Sequence, residues 1–500
     1  METERPPIAW RPLVFVAGAI LALHALCLTQ YGWFRDELYY FSCSHRLAWG
    51  YVDQPPLSIA LLALIRSLAG PSLVAFRLAS AALLALAAMT AGLVARQLGG
   101  RRFAQTLSAL AFGVSPLALA CGHFYSMNAL DIVFWPLATL LALRVFERPT
   151  DGRWIALGVA LGLGFLNKWS VLWLSFGIDA YILLARRDLL RTRGLWISVA
   201  IHALLVAPNI VWEVRTGWPT LEFMHHARAE KMIALQPLLY LANQVLTLGP
   251  GAVPIWIAGL VVALTRRTWR VIAVIYLVTL AILLASGSAR VEYITLPCVA
   301  LFGAGAVWWE GRGRLARAVV TSLALLLAIP IAPFALPILP VSKFIAYQAA
   351  LSRKPGTEER HAMGSLPQQY ADMFGWPEFA DSVARVCSTL TPEERRRAIV
   401  IVDNYGEAGA LERFGQGRVP TIACQHNNWY FWGPPAWDGG VAILVRRDSL
   451  EARQEFDQVE LAGLAGHPLA MPYERNLPIL IARGFHADLA KAWAGGKHFQ

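Results

Sequence analysis

The feature that most constrains this chain is a rhythm of long apolar runs separated by short connections of alternating character. A run of about 20 apolar residues crosses a bilayer as a helix. Eleven candidates can be drawn, at about 12–30, 72–95, 104–122, 128–146, 154–166, 169–185, 195–212, 237–264, 271–286, 294–309 and 316–339. The connections Arg96–Arg102, Arg186–Arg193, Arg266–Arg270 and Arg312–Arg317 are short and basic, and Glu147–Arg153 carries two arginines. All five fall on one side when the crossings alternate. Lys and Arg collect in cytoplasmic loops, so that side, with the N-terminus, is expected in the cytoplasm. The connections of the other parity, and everything after about residue 340, are then expected outside.

Composition agrees. The chain has 500 residues, 56% hydrophobic and 15% charged, against about 25% charged in an ordinary soluble domain. The net charge of +11 comes from arginines clustered between apolar runs, a topological signal rather than a nucleic-acid surface. No phosphate-binding glycine loop, dinucleotide fingerprint or zinc-ligand spacing is present. The first run, Pro12–Thr29, is long for a signal peptide and lacks a small-residue cleavage site, so it reads as a retained helix.

Two regions follow: residues 1–340, an all-α polytopic membrane domain whose first outer loop is 31–71, and residues 341–500, a small α/β extracytoplasmic domain. The second rests on short apolar runs at Ala398–Val402, Val419–Cys424, Val441–Val445 and Leu477–Ala482, separated by helix-like segments. Cys387 and Cys424 could pair there, or remain two free thiols. Leu57–Gly70 is apolar but interrupted by Arg66, which suits a helix lying along the outer membrane surface.

The polar residues of the outer side carry the chemistry. Asp36 and Glu37 follow the first crossing and are wrapped by Trp33, Phe34, Tyr39, Tyr40 and Phe41. Solvated helix-end acids are the ordinary reading. A carboxylate kept from water is instead a better proton acceptor. Asp131 begins the apolar run "ALDIVFWPLA", where it either caps free backbone N–H groups or serves a site within the membrane. The run Trp154–Leu166 is too short to cross alone and breaks at Asn167-Lys168, which calls for a wet or protein-lined space at that depth. Lys168 and Arg290 have the wrong parity for topological cations and together suit a phosphate. His225 and His226 lack a third ligand in register, so no metal is assigned. In "CQHNNWYFWGPPAW" the aromatics read mainly as core, with a sugar-facing surface as the alternative.

These stretches resemble a known family. "WFRDELYYF…GYVDQPPLS", "SMNALDIVFW", "GLGFLNKWSVLWL", "APNIVWEVRTGWPTLEFMHHARAEK", "EYITLP", "DNYGEAGALERFG", "HNNWYFWG" and "YERNLPILIARG" are similar to the series found in GT-C glycosyltransferases. The branch includes the protein O-mannosyltransferases, the aminoarabinose transferases and the bacterial galacturonosyltransferases. The resemblance implies an inner-membrane enzyme that transfers a sugar from a polyprenyl-phosphate donor to a lipid or glycan acceptor, or to a protein, with inversion and without a cofactor. It implies Asp36 as general base with Glu37 beside it. It further implies Asp131, Lys168, Arg290, Tyr39, Tyr40, Asp53 and Tyr293 around the substrate. Relatives often have lysine before a Tyr-Tyr pair where this chain reads Arg290-Val-Glu-Tyr. A polyprenyl-lipid flippase or transporter with an outward-facing acidic cavity is the alternative. It predicts access from both sides and commonly an inverted repeat, and none is visible in the sequence.

Overall fold

The computed structural model describes residues 5–234, 236–287, 290–446 and 449–500. The expected outer connection Gly287–Tyr293 therefore lies in part outside the described residues. Leu73–Gln97, Met127–Glu147, Arg193–Thr216 and Arg267–Ser286 are helices long and apolar enough to cross a membrane. Pro237–Leu248 with Pro250–Thr265 makes a fifth span if that bent pair is counted as one. The other expected runs also carry helix, in shorter pieces such as Trp10–Ala25, Arg102–Gly113, Asp151–Asn167, Val171–Ala185, Thr295–Glu310 and Arg314–Leu326.

The departures from straight crossings have local causes. The helix expected over 237–264 bends by 93° at Gly249, whose φ is +92°. Pro250 follows and has no N–H to continue the ladder. The run 104–122 breaks after Gly113 and restarts with Pro116 in its first turn. In the run 316–339 the first helix ends at Leu326; Pro330 follows in the turn, and a single further turn of helix, Ala332–Ala335, carries Pro333 near its start. The segment Glu213–Gln236, expected as a loop, instead contains the helix Pro219–His226 and a π-turn at Ala227–Lys231.

Connections of like parity meet. At one end, Gln97 donates to Glu147 (3.0 Å), the Arg101 N–H to Glu310 (2.7 Å) and Arg186 to the Phe146 carbonyl (2.8 Å). At the other end, Asn209 donates to the Trp49 carbonyl (2.8 Å), Thr220 to Glu213 (2.5 Å) and Lys497 to Glu222 (2.6 Å). Helix Leu57–Ala69 lies at this second end, anchored by Arg66 to Ser44, and turns Leu64 and Leu68 outward.

After residue 341 the chain builds a mixed five-stranded sheet, ordered β2-β1-β3-β5-β4. The strands are β1 (Ile399–Val402), β2 (Thr421–Cys424), β3 (Val441–Val445), β4 (Phe456–Ala465) and β5 (Leu477–Phe485). β1 pairs in parallel with β2 and β3, while β5 runs antiparallel to β3 and β4. The side-chain alternation of strands splits the sheet into two apolar faces. Ile399, Ala442, Leu444 and Leu480 form one. Val400, Ile443 and Ile481 face the other way, into a core shared with Leu38, Tyr39 and Phe41 of the first outer loop. The segment 341–500 therefore buries its apolar surface partly against residues near the start of the chain. All six cysteines are free and buried, Cys387 and Cys424 among them.

Candidate active site

The site is organised by the helix Arg35–Ser44. Gly32, at φ +90°, turns the chain into it. Glu37 stands at the third helical position and accepts the N-cap Phe34 N–H (2.9 Å), which satisfies a backbone donor at the helix entrance. Its other oxygen accepts the Tyr125 N–H (3.1 Å), and Arg77 clasps both oxygens at 3.0 and 3.2 Å. Arg77 also holds the carbonyls of Leu28, Gln30 and Gly32. Both charged side chains are fully buried. Glu37, expected beside the chemistry, is thus engaged on every side by protein groups that fix the helix entrance.

Asp36 is one residue, or about 100°, away around the same helix and points elsewhere. Its side chain keeps 37% exposure. The Tyr405 hydroxyl donates to Asp36 Oδ1 at 3.0 Å, and Arg35 Nε lies 3.9 Å from the same oxygen. Tyr405 opens the helix Tyr405–Phe414, which packs closely on Arg35–Ser44. A Cβ at Gly409 would lie 2.8 Å from the Leu38 carbonyl oxygen, and one at Gly406 would lie 2.6 Å from the Arg35 side chain. Arg35 in turn donates to the Tyr473 hydroxyl (2.6 Å) and lies 3.6 Å from Asp372.

The remaining expected residues surround this helix. Tyr39 donates to Asp53 Oδ1 (2.9 Å) and accepts the Asn428 N–H (3.3 Å). Burial pushes Asp53 up to about 7, the Tyr39 hydrogen bond opposes that, and the negative charge of Asp36 adds to it. Tyr40 accepts the Met127 N–H (3.1 Å), so it touches the start of the helix that carries Asp131. Asp131 is buried, accepts from Ser170 (2.9 Å) and lies 3.7 Å from Lys168 Nζ. Lys168 also donates to Asn128 (2.6 Å) and stands 4.5 Å above the Tyr293 ring. Asp131 and Lys168 thus form one pair, reached from the Asp36 helix through Tyr40 and the residues 127–128.

Arg290 pairs with Glu359 at 2.7 Å, and Lys231 lies 3.5 Å from the same carboxylate oxygen. Burial alone would raise Glu359, but Lys231 and Arg290 overcome it and hold the acid down to about 2. Burial lowers Lys231; Glu359 opposes this, and Asp36 also acts on it in the raising direction. Burial raises Asp372 to about 6 against the pull of Arg35. Sequence reasoning did not single out Arg35, Arg77, Lys231, Glu359, Asp372 or Tyr405. Lys231 and Tyr405 lie inside the quoted motifs, whereas Glu359 sits in an unremarkable polar stretch.

His426, Asn427 and Asn428 serve as a clasp. Asn428 accepts the Val52 N–H (2.9 Å), Asn427 donates its N–H to the His498 carbonyl (2.8 Å), and His426 contacts the Gln500 oxygen (2.9 Å). Arg46 stacks on Trp429 and Trp432 at 5.1 and 4.3 Å, so these aromatics pack within the protein. His226 Nδ1 contacts the Phe499 carbonyl (3.2 Å).

Comparison with known proteins converges on one group. Residues 53–212 match the family model described as dolichyl-phosphate-mannose-protein mannosyltransferase. The lipid A galacturonosyltransferase RgtD of Rhizobium johnstonii is 26% identical over 183 residues, covering 36% of this chain and 38% of that protein. The undecaprenyl phosphate-alpha-4-amino-4-deoxy-L-arabinose arabinosyl transferase 1 of Pseudomonas fluorescens is 31% identical over 182 residues, covering 33% and 32%. The chain thus spans about a third of the length of these curated relatives. The crystal structure of ArnT from Cupriavidus metallidurans bound to undecaprenyl phosphate superposes with a TM-score of 0.59 at 14% identity, over 94% of this chain and 97% of that one. The mycobacterial arabinofuranosyltransferase AftD follows at TM-score 0.55 and 15% identity, over 97% of this chain and 40% of its own. Over nearly its whole length the chain therefore shares the fold of these membrane glycosyltransferases, and residues 53–212 are similar to the mannosyltransferase family model.

Proposed function

We propose that the protein transfers a sugar from a polyprenyl-phosphate donor to an acceptor on the extracytoplasmic face of a bacterial inner membrane. The observation that carries this reading is the state of Asp36: an accessible carboxylate oriented by Tyr405, on a helix clamped by the buried Glu37–Arg77 pair, with Arg35 3.9 Å away and Lys231 within its electrostatic reach.

In the reaction, Asp36 takes the proton of an acceptor hydroxyl or amine as that atom attacks the anomeric carbon. The bond from that carbon to the phosphate oxygen breaks, and its electron pair leaves on the polyprenyl phosphate. Attack opposite the leaving group inverts the anomeric centre. Lys168, Lys231 and Arg290 supply positive charge where the departing phosphate gains negative charge. Asp131 and Glu359 hold those cations in place, while Tyr39, Tyr40, Asp53 and Tyr293 shape the space for sugar and acceptor. Glu37 acts through the helix it fixes. Residues 1–340 supply the membrane part, on the order of eleven crossings, and 341–500 close over the first outer loop. The named relatives point to undecaprenyl phosphate as the carrier and to lipid A as an acceptor to try first.

The test is a proteoliposome assay with undecaprenyl-phosphate donors labelled in 4-amino-4-deoxyarabinose or galacturonic acid. Release of lipid phosphate with transfer of label is expected, and Asp36→Asn should abolish it while the protein inserts and melts normally. Full activity of that variant removes Asp36 as the base. Label crossing the bilayer with no bond broken would favour a flippase.

A further inference from the structure

At the arginine-rich end, far along the bundle from Asp36, the helix ends part around a groove of about 1400 Å³. Arg5, Arg101, Arg186, Arg267 and Arg270 line it, with Glu147 as the one carboxylate among the described residues. Arg5 pairs with Glu147, and Arg186 with Asp188 at 2.9 Å. Among the described residues no carboxylate pairs with Arg101, Arg267 or Arg270. Arg186 and Arg270 donate to the carbonyls of Phe146 and Leu264 (2.8 and 3.4 Å), the ordinary work of a cation at a helix end. The Arg101 and Arg267 guanidinium groups have no such protein acceptor among the described residues. Positive charge is in excess around them: burial and then Arg144, Arg153 and Arg96 pull Arg5 below its usual pKa.

The floor is different. Leu143, Phe146, Tyr181 and Leu184 line it; the rings of Phe146 and Tyr181 lie 5.0 Å apart, and Leu184 is 75% exposed. An occupant that satisfies the groove is anionic at one end and apolar at the other. Inorganic phosphate meets only the first requirement, and an uncharged lipid only the second. Guanidinium forks match phosphate oxygens, and basic pockets between membrane helices take anionic head groups. We propose that this groove binds one anionic glycerophospholipid, its phosphodiester on Arg101 and Arg267 and its acyl chains leaving along the Phe146–Leu184 floor. The lipid belongs to the leaflet opposite the sugar-transfer site, so the proposal stands apart from that reaction.

Native mass spectrometry of the full chain in non-ionic detergent, titrated with phosphatidylglycerol or phosphatidylcholine, tests it. One tightly retained phosphatidylglycerol per chain is expected, with phosphatidylcholine much weaker. Arg101→Gln with Arg267→Gln should weaken retention by roughly five-fold for each arginine removed. If the double variant fails to fold, Arg101→Gln alone should show the single step, with transferase activity unchanged. Equal retention of the two lipids, or equal retention by variant and parent, overturns the proposal. So does displacement of the lipid by inorganic phosphate at concentrations that leave ordinary ion pairs intact. Glu2 and Glu4 precede Arg5 in the sequence; if their carboxylates fill the groove, the preference for phosphatidylglycerol vanishes and the proposal falls.

Discussion

Tyr405 donates its hydroxyl to Asp36 across 369 residues of sequence, at 3.0 Å. The acid follows the first apolar helix and the phenol comes from the C-terminal sheet region, so the carboxylate proposed as base is held by residues from both ends of the chain. A hydrogen bond to a charged group is worth about 1.5–3 kcal/mol. Tyr405→Phe should therefore lower kcat by roughly ten-fold or more while leaving the melting temperature close to that of the parent. A steady-state assay with separate kcat and KM values checks this; an unchanged kcat would leave Tyr405 as packing only.

Glu37 and Asp36 are neighbours with opposite expected behaviour. Removing one partner of a buried ion pair costs about 3–5 kcal/mol, so Glu37→Gln should lower thermal stability steeply and reduce activity through loss of folded protein. Asp36→Asn should do the reverse, sparing stability and removing activity. Melting curves of the two variants in one detergent decide it.

The pair Lys168–Asp131 allows a cycle. Lys168→Met leaves Asp131 buried without its cation and should destabilise the protein. Adding Asp131→Asn should restore part of that stability. Neither variant should regain transfer if, as proposed, the cation serves the departing phosphate. Recovery of activity in the double variant would assign Lys168 a purely structural role.

Asp53 should give stability a particular pH dependence. Its pKa is about 7 in the folded protein, above the usual value of about 3.9. Between those two values the unfolded chain has lost the proton and the native protein keeps it. Stability contributed by this site is then present at low pH and falls as pH rises towards 7. Asp53→Asn should flatten that fall while keeping a carbonyl oxygen for Tyr39. Melting temperatures at pH 5 and pH 8 test it, and a parent-like slope in the variant would remove Asp53 as its source.

Much of this was legible in the sequence, for reasons that differ by element. Arginine-rich connections report their side through topology, and they do meet at one end. β1, β2, β3 and β5 announce themselves as short apolar runs. β4 does not, because it is an edge strand whose residues from Asp457 to Leu464 are largely exposed. The acids and Lys168 could be picked out because charge is rare in apolar surroundings. The burial of Glu37 against Arg77 could not be read from the sequence, because adjacency hides a turn of about 100° on a helix. Lys231, Glu359 and Tyr405 were missed because their meaning arises only from contacts between residues 69 to 369 positions apart.

The core shared by Leu38, Tyr39 and Phe41 with Val400 and Ile443 bears on how the protein is made. When the ribosome has delivered the membrane helices, the Arg35–Ser44 helix still lacks its apolar cover, and Asp36 lacks its phenol. On the proposed function, the nascent chain is thus inserted but unable to transfer sugar, and the Asp36 site is completed only once translation passes the last strand.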